Sequence, residues 1–219
     1  MTDERLEIDH VVIGVTDLDV AATRLLDEHG LVALGGGRHP AWGTANRIVP
    51  LGSTYLELVA VVDPEVAARS AFGTWVSDMA SGRTGGGWAV RTHDMSGTAE
   101  RLGLDVVAGS RVTSDGVELR WRLAGLPPDA VADRALPFFI AWGGHTPLPG
   151  SIPVRHGAGD GDGDAEMALD RIGVECDPGV LDHWLGGRPL AVDAATGSGG
   201  VAWVRCASAR RVVQIGLPF

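Results

Sequence analysis

Between residues 6 and 62 the apolar positions follow two periods in turn. Residues 6–15 (L-E-I-D-H-V-V-I-G-V) alternate, which predicts a strand with Ile8, His10, Val12 and Gly14 on one face and Val11, Ile13 and Val15 on the other. The spacing then becomes helical: Val20, Leu25 and Leu26 form an apolar stripe, Thr16 or Asp17 supplies an N-cap, and Gly30 stops the helix after His29. Residues 31–34 begin a second strand, which runs into Gly35-Gly36-Gly37 and the loop R-H-P-A-W, and residues 45–51 form a third. Residues 54–62 (T-Y-L-E-L-V-A-V-V) are a fourth, bounded by Pro50, Gly52 and Ser53 before it and Asp63-Pro64 after it. Tyr55, Glu57, Val59 and Val61 share one face of that strand, and Leu56, Leu58, Ala60 and Val62 the other.

This β-α-β-β-β order recurs. Residues 63–79 read as helical connecting structure with Phe72, Trp75 and Val76 as its apolar contacts. There follow a strand at 87–92, a short helix at 94–102 stopped by Gly103, strands at 104–112 and 116–123 joined by a turn at Ser114-Asp115-Gly116, and a strand at 136–142. Aligning the two helix starts sets Asp17 opposite Asp94, hence His10 opposite Gly87 and Gly14 opposite Arg91. Residues 156–165 (H-G-A-G-D-G-D-G-D-A) read as an acidic linker. Asp160, Asp162 and Asp164 imitate the start of a calcium loop, but Ala165 and Arg171 stand where that loop needs glycine and glutamate, so no calcium site is expected. A strand at 167–176, a helix capped by Asp177-Pro178 and ending near Leu185, and strand structure at 189–195 and 201–215 make a partial third β-α-β-β unit. The expected organisation is a domain over 1–150, a linker over 151–165 and a C-terminal unit over 166–219 packed on the same domain.

Composition narrows the function classes. With 219 residues, 45% hydrophobic and 21% charged, the chain can bury a sizeable core. A formal charge of −10 weighs against nucleic acid or an anionic membrane as partner. No apolar run reaches the length of about 20 residues that spans a bilayer, and the acidic start M-T-D-E-R-L-E is no secretory signal. Cys176 and Cys206 form no disulfide framework and read as buried thiols of a reduced, cytoplasmic protein.

Glu57 is the residue that asks for a function. A carboxylate at the centre of so apolar a strand is costly to bury unpaired. It either faces solvent or an arginine, or it serves as a ligand inside a concave site with a partner elsewhere in the chain.

Three separated stretches now combine: I-D-H-V-V-I-G-V-T-D-L, then G-T-A-N-R-I-V-P-L-G-S-T-Y-L-E-L, then G-W-A-V-R-T with G-V-E-L-R-W-R-L and L-P-F-F-I-A-W. Together they resemble the glyoxalase-like domain branch of the vicinal oxygen chelate superfamily, over roughly residues 6–150. The resemblance implies an α+β fold in which paired βαβββ modules form a cup-shaped mixed sheet, here followed by the partial C-terminal unit. It also implies a divalent metal, zinc, iron, manganese or nickel, held by His10 and Glu57 and by matching positions of the second module. There the pattern breaks: Gly87 stands at the second histidine position, and Ile140 and Ala141 near the second glutamate, with His145 just beyond the strand. No nucleotide cofactor is implied.

In such a cup Arg91 faces inward with Gly14. If Val117, Leu119, Trp121 and Leu123 pack outward under the helix, Glu118, Arg120 and Arg122 face inward too. His39 and Trp42 on the loop before the third strand are placed to close over a ligand, beside Tyr55. The remaining tryptophans, Trp75, Trp88, Trp142, Trp184 and Trp203, are expected in the core. Two functions follow. One is a metal-dependent lyase, isomerase or dioxygenase acting on a small oxygenated, anionic substrate, with Glu118 as base and the arginines as anion anchors. The other is a metal-free binding or sequestering protein with an arginine-lined cup. The third unit either completes the fold or offers an edge for a homodimer.

Overall fold

The computed structural model describes residues 5–112, 118–126, 135–144, 146–157, 167–197 and 199–219. Among them the first module comprises β1 (Glu7–Gly14), α1 (Leu18–His29), β2 (Leu34–His39), β3 (Thr44–Leu51) and β4 (Thr54–Val61). Two helices, α2 (Pro64–Ala67) and α3 (Ala71–Ala80), lead to the second: β5 (Gly87–Arg91), α4 (Met95–Leu102), β6 (Val106–Val112), β7 (Glu118–Ala124) and β8 (Phe138–Trp142). The C-terminal unit is β9 (Ala168–Glu175), α5 (Pro178–Leu185), β10 (Val192–Ala195), β11 (Gly200–Ala207) and β12 (Val212–Gly216).

Local chemistry sets these boundaries. The Asp17 carboxylate accepts the backbone N–H groups of Asp19 and Val20 at 2.8 and 3.0 Å, satisfying donors that the first turn of α1 leaves open. Asp94 caps α4 in the same way through Gly97 N–H, and both helices end on a left-handed glycine, Gly30 and Gly103. The second strand departs from expectation: it starts at Leu34 and runs through the three glycines to His39. Gly36 lies directly on the backbone of Asn46, where a Cβ would come within 2.4 Å of a carbonyl oxygen, so the close pairing of β2 with β3 depends on glycine there.

The strands form an eight-stranded mixed sheet in the order β2-β3-β4-β1-β5-β8-β7-β6 and a four-stranded sheet in the order β10-β9-β11-β12. Two modules meet where β1 and β5 run antiparallel, and each joins its first strand to its last in parallel, β1 to β4 and β5 to β8. The C-terminal order places β9 inside its sheet, beside both β10 and β11, so this unit does not repeat the module topology.

Each face of the large sheet has its own core. Behind it, Val11, Ile13, Leu56, Leu58 and Val90 pack with Leu25 of α1, Met95 of α4 and Val201 and Val204 of β11, so the C-terminal sheet shares this core. In front, α3 lies in the concavity and seats Phe72, Trp75, Val76 and Met79 against Val12, Val59, Ala89 and Phe138. The sequence pattern assigned Ile8 to the front with His10. Instead a bulge between Ile8 and His10 in the pairing with β5 turns Ile8 into the rear core. No helix among the described residues is long and apolar enough to cross a membrane. The Ser114-Asp115-Gly116 turn, His145 and the Asp160, Asp162 and Asp164 run lie outside the described residues.

Candidate functional site

Where α3 leaves the concavity open, a cavity of about 70 Å³ remains. His10 and Glu57, from β1 and β4, form its polar end together with Asn46 of β3. His10 is buried; its Nδ1 lies 2.7 Å from Oδ1 of Asp9. A carboxylate can only accept, so Nδ1 carries a proton and Nε2 is the ring atom turned toward Glu57. Nε2 lies 3.8 Å from Oε2 of Glu57. Tyr55 stacks on the other side of the imidazole, with ring centroids 4.5 Å apart, and Phe138 meets it edge-on at 5.4 Å. Asn46 donates from Nδ2 to Oε1 of Glu57 while its own Oδ1 accepts Gly37 N–H at 2.6 Å, so the amide is locked in orientation. His39 and Trp42 also line the cavity; His39 Nδ1 is 3.0 Å from Thr44 Oγ1, and Trp42 packs on Phe72 with centroids 4.7 Å apart. The rest of the wall is Trp121 and Leu123 of β7 and Ile140 and Trp142 of β8, with Ile48, Leu126 and Pro149.

Asp9 and Asn46 are absent from the sequence-derived candidates. Strict alternation would turn Asp9 toward the rear core, away from His10. The bulge instead makes it a buried hub that accepts Trp142 Nε1–H at 2.9 Å and His10 Nδ1–H, with Arg91 Nη1 at 3.6 Å. Asn46 was legible in principle: β3 pairs with β4 so that Ile48 lies opposite Glu57, and alternation puts Asn46 on the same face as Ile48.

The arginines are elsewhere. Arg91 is buried at the end of β5, where it holds Glu7 at 2.8 Å and Asp9 and donates to the Ser53 carbonyl at 3.3 Å; it does not line the cavity. The expected inward facing of Glu118, Arg120 and Arg122 is reversed: all three are exposed, and it is Trp121 and Leu123 that line the cavity. Alternation makes Leu119, Trp121 and Leu123 share a face, and the apolar concavity is where that face is buried. On the outside, Arg120 donates to Glu118 at 2.7 Å; that hydrogen bond, then the charge of Arg120, holds the Glu118 carboxyl below its ordinary value. Trp142, expected in the core, lines the cavity, whereas Trp75 and Trp88 are fully buried.

The strand register tells which residues of the second module correspond to His10 and Glu57. His10 pairs with Ala89 and Val12 with Gly87, an exchange that equates His10 with Gly87 and Val12 with Ala89. Val12 pairs with Glu57, and its equivalent Ala89 pairs with Phe138. The second glutamate position is therefore Phe138, not Ile140 or Ala141. Neither Gly87 nor Phe138 can ligate. Nor is there room for a donor at Gly87, because a Cβ there would lie 2.2 Å from the Trp75 ring.

A catalytic ion of this kind is held by about three protein donors, each at roughly 2.0–2.2 Å. Here two donors stand 3.8 Å apart. Asn46 Oδ1 is engaged by Gly37, and the facing wall is Phe138, Ile140 and Leu123. No group of three histidine, cysteine, aspartate or glutamate side chains able to hold an ion occurs among the described residues. Among the described residues, therefore, the donor set falls short of the three donors that hold such an ion.

A model of the glyoxalase-like domain family matches residues 8–175. No curated protein matches the chain. Among solved structures, a hypothetical protein from Staphylococcus aureus superposes with a TM-score of 0.62 at 15% identity, over 97% of this chain and 86% of the other. Methylmalonyl-CoA epimerase from Mycobacterium tuberculosis matches with a TM-score of 0.42 at 21% identity, over 62% of this chain and 86% of the enzyme. A variant of the Streptomyces coelicolor methylmalonyl-CoA epimerase, in complex with 2-nitronate-propionyl-CoA, matches with a TM-score of 0.45 at 20% identity, over 64% of this chain and 97% of the enzyme.

Proposed function

The chain belongs to the glyoxalase-like domain family, within the vicinal oxygen chelate superfamily, and we propose that it binds a small organic molecule in the concavity without a resident metal ion. One observation carries this: the first module keeps a polar end of His10, Glu57 and Asn46, while the equivalent positions of the second are Gly87 and Phe138. A ligand would place a polar group on Nε2 of His10 and the Glu57 carboxylate and its apolar body against the aromatic wall, the division of labour usual in small-molecule sites. His39 and Trp42 would contact its outer part. With Arg91 held by Glu7 and Asp9, and with Arg120 and Arg122 outside, an anionic substrate has no guanidinium anchor among the described residues.

A second reading adds chemistry to binding, and the Asp9–His10 hydrogen bond favours it. An imidazole whose Nδ1–H is fixed by a buried carboxylate presents Nε2 as a base of defined direction. His10 would take a proton from the bound molecule and Asp9 would stabilise the resulting imidazolium. Glu118, exposed on the far face of β7, is not the base in this reading.

Elemental analysis of the purified protein, wild type beside His10→Ala, tests the metal-free reading. Substoichiometric metal in both proteins is the expected result, after incubation with excess zinc, iron, manganese or nickel as well. About one equivalent in the wild type that disappears in His10→Ala would restore the metal-dependent lyase, isomerase or dioxygenase as the leading function.

A further inference from the structure

We propose that the ligand of this cavity is an organic cation, a protonated amine whose ammonium group sits against Glu57 inside an aromatic enclosure. The inference rests on the cavity being a small-molecule site and names the chemistry that the site selects.

Charge is the first argument. All 18 basic residues of the chain are arginines, and none of those described lines the cavity. Arg91 reaches Asp9, the neighbour of His10, but its guanidinium is engaged by Glu7 and Asp9. Glu57 is left with a neutral amide, Asn46, and with His10, whose Nδ1 is held by Asp9. Around that end Asp9 shares the buried guanidinium of Arg91 with Glu7, whereas Glu57 pairs with no described arginine and its side chain is only 12% exposed. A carboxylate withdrawn from water with no guanidinium paired to it is stabilised by a cation and repels an anion.

The wall is the second argument. The chain has seven tryptophans, one tyrosine and four phenylalanines. Three of the tryptophans (Trp42, Trp121 and Trp142), the tyrosine (Tyr55) and two of the phenylalanines (Phe72 and Phe138) line this cavity. Aromatic rings gathered around a carboxylate are the usual enclosure for an ammonium group, because the ring quadrupole attracts a cation that has left water. A hydrophobic ligand alone would be served as well by the leucine and isoleucine side chains (Ile48, Leu123, Leu126, Ile140) that share this wall with the rings.

Size is the third. A cavity of roughly 150 Å³ holds a benzene molecule; the 70 Å³ here suits the charged end of a molecule whose body extends beyond the cavity.

The test uses three probes of similar size and different charge, benzylammonium, benzyl alcohol and benzoate, titrated at neutral pH and followed by tryptophan fluorescence. Benzylammonium is expected to bind about tenfold more tightly than the alcohol, and benzoate more weakly than either. In Glu57→Gln, which retains an acceptor for Asn46, the preference for the cation should fall to about twofold or less while the alcohol still binds. Equal affinity for the alcohol, tighter binding of benzoate, or a preference unchanged in Glu57→Gln would overturn the cation and leave the cavity a small-molecule site. No binding of any of the three would overturn both. Because the wild-type series is informative by itself, the proposal does not depend on the variant folding.

Discussion

The two halves of the large sheet share a topology and differ in chemistry. In the first, β1, β3 and β4 bring His10, Asn46 and Glu57 to one end of the cavity. In the second, β7 and β8 supply Trp121, Leu123, Phe138 and Ile140, and β5 has glycine where β1 has histidine. Backbone symmetry therefore says where a functional group would stand without saying whether one stands there. The conformations of both halves are set by the same devices, an aspartate cap, a glycine stop and a parallel pairing of first and last strand. The side chains that face forward are free of those constraints and answer to α3. Once Trp75 lies over Gly87, a second ligand has no space, and an apolar wall is the arrangement that packs.

That account breaks most visibly at Trp75. Its side chain is 1% exposed, and Trp75→Ala should cost about 3–5 kcal/mol in denaturant unfolding. Gly87→His, which restores the missing donor, should also destabilise the protein, by about 1–3 kcal/mol, because the ring of Trp75 is in the way. Combining the two should cost less than their sum, with a coupling of about 1 kcal/mol or more, since the truncation makes the room that the histidine needs. Strict additivity would show that Trp75 is not what excludes a second donor.

Asp9 probes the polar half. Removing it leaves Arg91 with Glu7 as its carboxylate partner, deprives Trp142 Nε1–H of its acceptor and frees His10 to turn. Asp9→Ala should therefore cost about 3 kcal/mol, the usual penalty for breaking a buried charge pair. A loss well under about 1 kcal/mol would mean that Asp9 is not the hub of this end. Asp9 also marks the limit of what a sequence tells. Strands, caps and the repeat are legible because period, aspartate and glycine are local signals, and the Tyr55–Glu57 face of β4 follows from unbroken alternation. A single bulge ends that logic on β1, and no local signal announces it. His10 and Glu57 are named by the motif that they resemble; Asn46 and Asp9 come into view only through pairing.

Behind the sheet the halves share one continuous core, and Cys206 reports on it. The thiol is fully buried and burial pushes its pKa up to about 12. A raised value means that the neutral thiol favours the folded state at any pH below the ordinary thiol range, and that this contribution is lost as the pH rises through that range toward about 12. Iodoacetamide at pH 8.5 should accordingly leave Cys206 unmodified in the native protein and alkylate it completely in denaturant. Rapid native labelling would show that the C-terminal sheet opens away from the rear core.

The smallest expected effect is at Arg120, and it is informative because it is small. A strand pattern such as V-E-L-R-W-R-L fixes which side chains share a face but not which face looks inward. Charges inside a cup look like a ligand site, and the same charges outside it are a solvated edge. With Glu118, Arg120 and Arg122 exposed, and Trp121 and Leu123 against the cavity, the second arrangement is the one present. Arg120→Ala should leave the midpoint of thermal unfolding within error of wild type, because an exposed pair with Glu118 is screened by solvent. It should also leave the affinity for benzylammonium unchanged, whereas Trp121→Ala, one residue along the strand, should weaken it about tenfold. If Arg120→Ala rather than Trp121→Ala abolished binding, β7 would present its other face to the ligand and the contrast between a polar first half and an aromatic second half would fail.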